Sequence, residues 1–467
     1  MTTKLGVHEK PAFYNAVRTV RLGDVAQSMK NGIYKSKDAY ADDGVACLRM
    51  YNIGDGRIIW RDIKRMSLSE QERSEYGLEP GDLLVNRVNS RELVGKTALV
   101  TAGIERSVFE SKNIRVRLDR SLVEPAYVNY ALLALGRTHF NRNAQQVVGM
   151  ASVSQPQVAA FQFLLRPVAQ QREVVAYLDE QLSRLDASVA ALHRVQANLK
   201  RYRASVLKSA CEGRLVLTEA ELARQEGRTF ETGAQLLQRI LVERHARLGG
   251  KGKYKGPAAL TASKKPELPI GWTWATVEQL TFLVTSGSRG WSAFYADAGT
   301  LFIRAQDIKT DALNVDGVAR VNVPGDAEGS RSSVGSSDIV ITITGANVTK
   351  SALVPALSEA AFVSQHVALL KLTLEDTAAF VFNWIVSPAN GRKTLESWAY
   401  GAGKPGLSLE QVRELHVALP PLAEQHRIVA EADRRLSLIR VAEAQVTANL
   451  TRAQRLRQSI LQAAFSG

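Results

Sequence analysis

Three groups of residues in this 467-residue chain have types and spacings that invite a chemical reading. Gly95-Lys96-Thr97 has the form of the end of a phosphate-binding loop, in which backbone amides and a lysine cradle a polyphosphate. Such a loop needs another glycine five residues earlier, where this chain has Ser90. Asp82 with Glu110-Ser-Lys112 follows the order of acids and lysine used by metal-dependent nucleases. A related stretch later in the chain has Asp338, Val363 and Gln365 there, so the set is not a property of the domain. The seven histidines (8, 139, 193, 245, 366, 416 and 426) contain no close pair with metal-ligand spacing. His366 falls in a predicted strand and reads as structural. Cys47 and Cys211 cannot build a disulfide framework or a cysteine-rich zinc site. The Asn/Asp-Pro-Pro-aromatic motif of amino-methylating enzymes is missing, since Pro420-Pro421 lies between Leu419 and Leu422. No catalytic, metal or cofactor site emerges.

What remains is charge. Lys and Arg number 60 against 46 Asp and Glu, a net +14. That excess points to a polyanionic partner, nucleic acid above all. Apolar residues at 45% and charged residues at 23% are those of a globular chain, and the length implies two or three domains. The start, MTTKLGVHEK, has no apolar signal core, and no apolar run reaches the roughly 18 residues of a membrane span. A soluble, cytoplasmic protein is expected.

The elements that must position a binding surface occur twice. Residues 149–213 align without a gap on 403–467 at an offset of 254, with nearly a third of positions identical. The matches include Gly149/Gly403, Ser154/Ser408, Gln157/Gln411, Pro167/Pro421, Gln171/Gln425, Arg203/Arg457 and Gly213/Gly467. Upstream the likeness loosens but keeps its order. CLRMYNI (47–53) answers FIRAQDI (302–308), and GDLLVNRVNSRELVGKTALV (81–100) answers SDIVITITGANVTKSALV (337–354). Each half is thus a globular region followed by a strongly repeated segment. Halves that diverge in only one part are expected to read two different ligands with it.

The repeated segment predicts a long helix. Ser154-x-x-Gln157 and Ser408-x-x-Gln411 are capping boxes for a short helix, Pro167 and Pro421 break the chain, and no Gly or Pro follows until Gly213 or Gly467. Heptad spacing from residue 178 selects Leu178, Leu182, Leu185, Val189, Leu192 and Leu199. The matching positions select Leu436, Ile439, Val446, Leu450 and Ile460. This is a coiled-coil seam, and each helix is the other's obvious mate. Two polar breaks, Arg203 and Arg457, either set register or mark drift of the seam onto Tyr202 and Leu456.

The expected fold class is α+β. Short strands (LRMYNIG, DLLVNRV, TALVT, NIRVRL, TLFIRA, DIVITIT, VALLKL) accompany helices (YVNYALLALGRTHF, FVFNWIVSP). The boundaries read 1–166 for the first globular domain, 167–213 for the first helix, 214–268 for a helical segment and basic linker, 269–420 for the second domain and 421–467 for the second helix. In the linker, Arg244 to Pro266 holds seven Lys or Arg and no acid. It is either a solvated connector or a strap that contacts phosphate.

This order resembles the DNA-specificity subunit of type I restriction–modification systems. The likeness rests on the duplicated order and on CLRMYNI, GDLLVNR, PVAQQREVVAYLDEQLSRLD, ASVLKSACEGRL, LPIGWTWATVEQL, PLAEQHRIVAE and QSILQAAFSG; it departs at Ser337, where the family's turn has Gly. The resemblance implies two target-recognition domains related by pseudo-twofold symmetry and separated by two antiparallel helices. Each domain would read half of a bipartite site across an unread gap. It also implies a subunit that is no enzyme and holds no cofactor. Its partners would be double-stranded DNA, two adenine-N6 methyltransferase subunits and, in the full complex, nuclease–translocase subunits. Those partners would use S-adenosylmethionine, ATP and Mg2+.

Candidate readers lie in loops after the strands. They are Arg49, Asn52, Asn86, Arg87, Asn89, Arg91 and Lys96 in the first half, and Arg304, Gln306, Asp307, Asn347, Lys350 and Lys404 in the second. Arginine suits guanine, Asn and Gln suit adenine, and Asp can accept from cytosine. Each one alone could equally be a phosphate contact or an ordinary surface residue. Two other classes stay open: a stand-alone DNA-binding regulator, and a nuclease or methyltransferase with an unrecognised site.

Overall fold

A computed structural model describes residues 17–147, 149–249, 256–258, 266–287, 289–322, 331–399 and 405–465. Lys404 and the lysines of the 251–265 cluster lie outside the described residues. The chain divides into two compact units, 1–193 with 447–467 and 194–446.

In the first unit a six-stranded sheet runs in the order Ala26–Asn31, Asn113–Leu118, Leu83–Asn86, Thr97–Leu99, Gly56–Ile58, Ile53–Gly54. A four-stranded sheet has the order Ser107–Phe109, Val45–Leu48, Lys64–Met66, Tyr40–Ala41. In it Leu48 pairs parallel with Phe109, and Arg49 and Glu110 follow side by side. The strand expected across 48–54 is therefore broken: one strand ends at Leu48, Met50–Asn52 forms a helical turn, and Ile53–Gly54 is a separate short strand. Burial explains the strands: Leu83, Leu84, Val85, Ile114 and Val116 are fully enclosed, which suits β-branched and aliphatic chains on a sheet covered on both faces.

The second unit repeats this plan. Its four-stranded sheet is Thr281–Ser286, Val367–Leu372, Ile339–Thr342, Ser351–Leu353, and a second sheet contains Tyr295–Ala296, Ala319–Val321, Thr300–Ile303, Ala361–Val363 and Ser333–Val334. Here Ile303 pairs parallel with Val363, as Leu48 does with Phe109. His366 lies in the turn before Val367–Leu372, not in a strand. Ser337 takes φ +66° where Gly81 has +95°. A left-handed serine at that turn costs about 1–2 kcal/mol that glycine avoids.

Both capping boxes close: Ser154 N donates to Gln157 Oε1 at 2.8 Å and Ser408 N to Gln411 Oε1 at 2.8 Å. Beyond them run two 44-residue helices, Val168–Cys211 and Leu422–Phe465. In the first unit Leu178 and Leu182, near the start of one helix, share a core with Leu461 and Phe465, at the end of the other. In the second unit Val206, Leu207 and Ala210 share a core with Ile428, Ala432, Leu436 and Ile439. Within each unit, then, the helices meet antiparallel. The remaining seam residues Leu185, Val189, Leu192, Leu199, Leu450 and Ile460 are half-buried, and Val446 is buried. Tyr202 and Leu456 are about half exposed, at 47% and 48%, so the seam does not drift onto them. The polar breaks are paired instead, Arg203 with Asp311 at 3.3 Å and Arg457 with Asp186 at 2.7 Å. The segment 218–248 resolves into two helices, Glu219–Glu226 and Gly233–Leu248, each opened by a threonine cap.

Candidate nucleic-acid interface

The parallel strand pair in each unit delivers one arginine to the same place. In the first, Arg49 Nε donates to Glu110 Oε2 at 3.0 Å, and Met50 N donates to Glu110 Oε1 at 2.6 Å. Arg49 N donates to Asn52 Oδ1 at 3.0 Å, closing the turn. The guanidinium lies 5.7 Å from the Tyr40 ring and 5.3 Å from the Tyr51 ring, within cation–π range. Burial works against the Arg49 charge, but the bond to Glu110 outweighs it and its pKa is raised. The side chain keeps 30% exposure, so a fixed cation faces solvent.

In the second unit one residue does both jobs. Asp307 Oδ2 accepts from Arg304 N at 2.9 Å and from Nε at 3.0 Å, and Oδ1 accepts from Nη2 at 3.1 Å. The Asp307 bond raises the Arg304 pKa, with Tyr295 beside it. Arg304 is 26% exposed, nearly as much as Arg49.

The other candidate residues sort by burial. Asn52 is enclosed, and its Nδ2 donates to Ile59 O at 3.1 Å and Arg61 O at 2.8 Å. Asn86 and Asn89 are buried in an amide chain: Asn89 Nδ2 donates to Asn86 Oδ1 at 2.8 Å, and Asn86 Nδ2 donates to Asn113 Oδ1 at 3.0 Å. Asp307 is buried too. Arg87, Lys96, Asn347 and Lys350 are half-buried, while Arg91 and Gln306 are exposed. Lys96 Nζ reaches Met50 O at 3.4 Å, and burial lowers its pKa. Lys350 instead donates to Asn347 at 2.7 Å, whose Nδ2 reaches Ala305 O at 3.4 Å. Both lysines thus brace the residue after the strand-end arginine, one directly and one through an amide. The structure brings Arg49, Asn52 and Lys96 together, and likewise Arg304, Asp307, Asn347 and Lys350.

The nuclease-like set does not assemble. Asp82 is occupied with Arg117 at 3.0 Å, as Asp338 is with Lys371 at 2.6 Å, while Glu110 serves Arg49. No group of three or more His, Cys, Asp or Glu able to hold a metal occurs among the described residues. Gly95-Lys96-Thr97 leads into the strand Thr97–Leu99 rather than into a helix whose N-terminus could face a phosphate. Backbone bonding also corrects one pairing. Glu110 N donates to Leu48 O, and Ser364 N to Ile303 O, so the counterpart of Glu110 is Ser364 and not Val363. Sequence reasoning passed over Tyr40, Tyr295 and the positioning role of Glu110. The available signal was Tyr40-Ala-Asp42 repeated as Tyr295-Ala-Asp297, at the offset of 255 that relates Arg49 to Arg304.

No family model matches the chain. The type I restriction enzyme StySPI specificity subunit of Salmonella potsdam is 26% identical over 239 residues, 50% of this chain and 50% of that protein. The EcoBI specificity subunit of Escherichia coli is 24% identical over 65% of this chain and 57% of its own. This chain therefore spans little more than half the length of these two curated relatives. The EcoKI specificity subunit of Escherichia coli (strain K12) is 23% identical over 93% of this chain and 85% of that one. A chain from a structural study of complex assembly and conformational transition of the type I R-M system has the same fold. Its TM-score is 0.61 at 17% identity, over 99% of this chain and 100% of that chain. With its duplicated order of globular region and long helix, the chain is similar in sequence and fold to the specificity subunits of type I restriction enzymes.

Proposed function

We propose that this chain is the non-catalytic, DNA-reading subunit of a type I restriction–modification complex. Each globular region reads one half of a bipartite, asymmetric site. The observation that carries this reading is the strand-end arginine, which recurs in two halves whose surrounding loops have diverged. A guanidinium held by a carboxylate yet partly exposed is suited to the O6/N7 edge of guanine in the major groove. Arg87, Arg91, Lys96, Gln306, Asn347 and Lys350 supply further base or phosphate contacts around it. The buried Asn52, Asn86, Asn89 and Asp307 act by shaping the loops that carry these groups. Lys404 belongs to the same expected set. The net charge of +14 favours the polyanion whichever base is read.

Two like halves offer two like docking surfaces, so the complex takes two adenine-N6 methyltransferase subunits, with nuclease–translocase subunits in the full assembly. Methylation and cleavage, and the S-adenosylmethionine, ATP and Mg2+ they need, belong to those partners. Among the described residues no helix is long and apolar enough to cross a membrane, which is compatible with a cytoplasmic complex. The test exchanges residues 11–150 for the matching region of a relative. One half-site of the methylated sequence should change and the other stay; a simultaneous change of both refutes the modular reading.

A further inference from the structure

The two strand-end arginines are held by carboxylates that come from different places in the duplicated fold. Position by position, the backbone makes the comparison firm. Asn52 N bonds Arg49 O at 2.9 Å and Asp307 N bonds Arg304 O at 2.9 Å. Ile59 N bonds Asn52 O and Asn314 N bonds Asp307 O, again both at 2.9 Å. Asn52 and Asp307 are therefore one site, and Glu110 and Ser364 are the other. The first half carries an amide at one site and an acid at the other; the second carries an acid and a hydroxyl. Each half has one carboxylate across the two sites, and in each it grips the arginine. Ser364, where the first half has its acid, is buried and its Oγ finds no hydrogen-bond partner among the described residues.

We propose that Glu110 and Asp307 are interchangeable positioning residues that aim Arg49 and Arg304 at a base edge. This proposal rests on the reading above. The two grips differ in what they leave free. Glu110 holds Arg49 through Nε, so both terminal nitrogens stay available for the two-donor contact that guanine accepts. Asp307 takes Nε and Nη2 of Arg304, which leaves Nη1 as the terminal nitrogen free of the clamp. The first half-site thus has a two-donor guanine contact from Arg49, and the second a contact carried mainly by Nη1. Mobile, unheld arginines would select bases weakly, since the entropy of fixing the side chain would fall on the contact itself.

The test uses the full chain, assembled with its methyltransferase partner, and a pool of randomised DNA duplexes from which bound sequences are recovered. Asp307→Asn keeps shape and can keep the backbone bond to Arg304 N, but it removes the charge. It should cut discrimination at one base pair of the second half-site by roughly ten- to a hundredfold and leave the first half-site intact. Adding Ser364→Glu recreates the arrangement of the first half and should restore discrimination to within about threefold of the parent. Glu110→Gln should relax one position of the first half-site alone, and it carries the test if the Asp307 variant does not fold. Melting is followed in parallel. A loss of affinity spread evenly over all sequences, or unchanged preference, overturns the proposal and leaves the carboxylates as fold supports. Relaxation that Ser364→Glu does not reverse overturns the exchange of positions. A parent complex that selects no sequence overturns the DNA-reading function itself.

Discussion

Gln171 and Gln425 are identical in sequence, equally enclosed at 0% exposure, and unequal in duty. Gln171 Oε1 accepts from Glu124 N at 2.8 Å, and its Nε2 donates to Leu122 O at 3.1 Å and Arg166 O at 2.7 Å. It ties the start of the first long helix to two other segments of its unit. Gln425 Nε2 donates to Pro420 O at 2.9 Å, while its Oε1 is buried without a partner among the described residues. Methionine matches glutamine in length and flexibility but carries neither the donor nor the acceptor amide. At about 1 kcal/mol for each bond lost, Gln171→Met destabilises its unit by about 3 kcal/mol, more if the three backbone groups stay dry. Gln425→Met loses one bond and also removes an unsatisfied oxygen, so about 1 kcal/mol or less is expected. A chain of two units does not yield one unfolding free energy, so native-state hydrogen exchange is the suitable assay. Amides of the helix Pro125–Ala131 should exchange roughly a hundredfold faster in the first variant, and those of Ala378–Val386 less than tenfold faster in the second. Equal acceleration in both, or the reverse order, refutes the reasoning.

Two further outcomes follow from burial and helix geometry. Cys47 and Cys211 are buried, and burial pushes both thiols up to about 12. Because the folded value exceeds the unfolded value of about 8.5, their contribution to stability is present below that pH and is lost as pH rises toward 12. Iodoacetamide at pH about 8.5 should label neither in the native protein and both in denaturant; rapid native labelling would contradict the buried placement. Matched seven-residue insertions in the two 44-residue helices preserve heptad phase and add about 10 Å to each. Methylation mapping should find the unread gap longer by roughly three base pairs with both half-sites unchanged. A constant gap at full activity means the helices do not set the spacing.

Much of this was legible because repetition filters out chance. The heptad positions, capping boxes and helix-breaking prolines each occur twice, and a local pattern repeated at a fixed offset fixes element type and extent. Leu178, Leu182, Leu436 and Ile439 were readable as seam for that reason. The site was harder. Asn52, Asn86 and Asn89 have the side chains of adenine readers, yet they spend their amides on backbone carbonyls and on one another. Composition does not distinguish an amide that faces solvent from one that closes a turn. The ion pair of Arg49 with Glu110 spans 61 residues and depends on parallel pairing of two strands, which no local window contains. In the second half the same role sits three residues away, at Asp307. Alignment alone set Glu110 against Val363 because it matched Ser111 with Ser364 by residue type; the two turns are in fact equally long, Asn113 N bonding Glu110 O as Val367 N bonds Ser364 O.

The central claim is that recognition lives in this chain and chemistry in its partners. The most direct measurement is a genome-wide map of N6-methylated adenines in cells that carry the chain alone, the partner methyltransferase alone, or both. The account predicts methylation at one bipartite asymmetric sequence only when both are present. Methylation by the lone chain, or an identical pattern without it, would contradict the account.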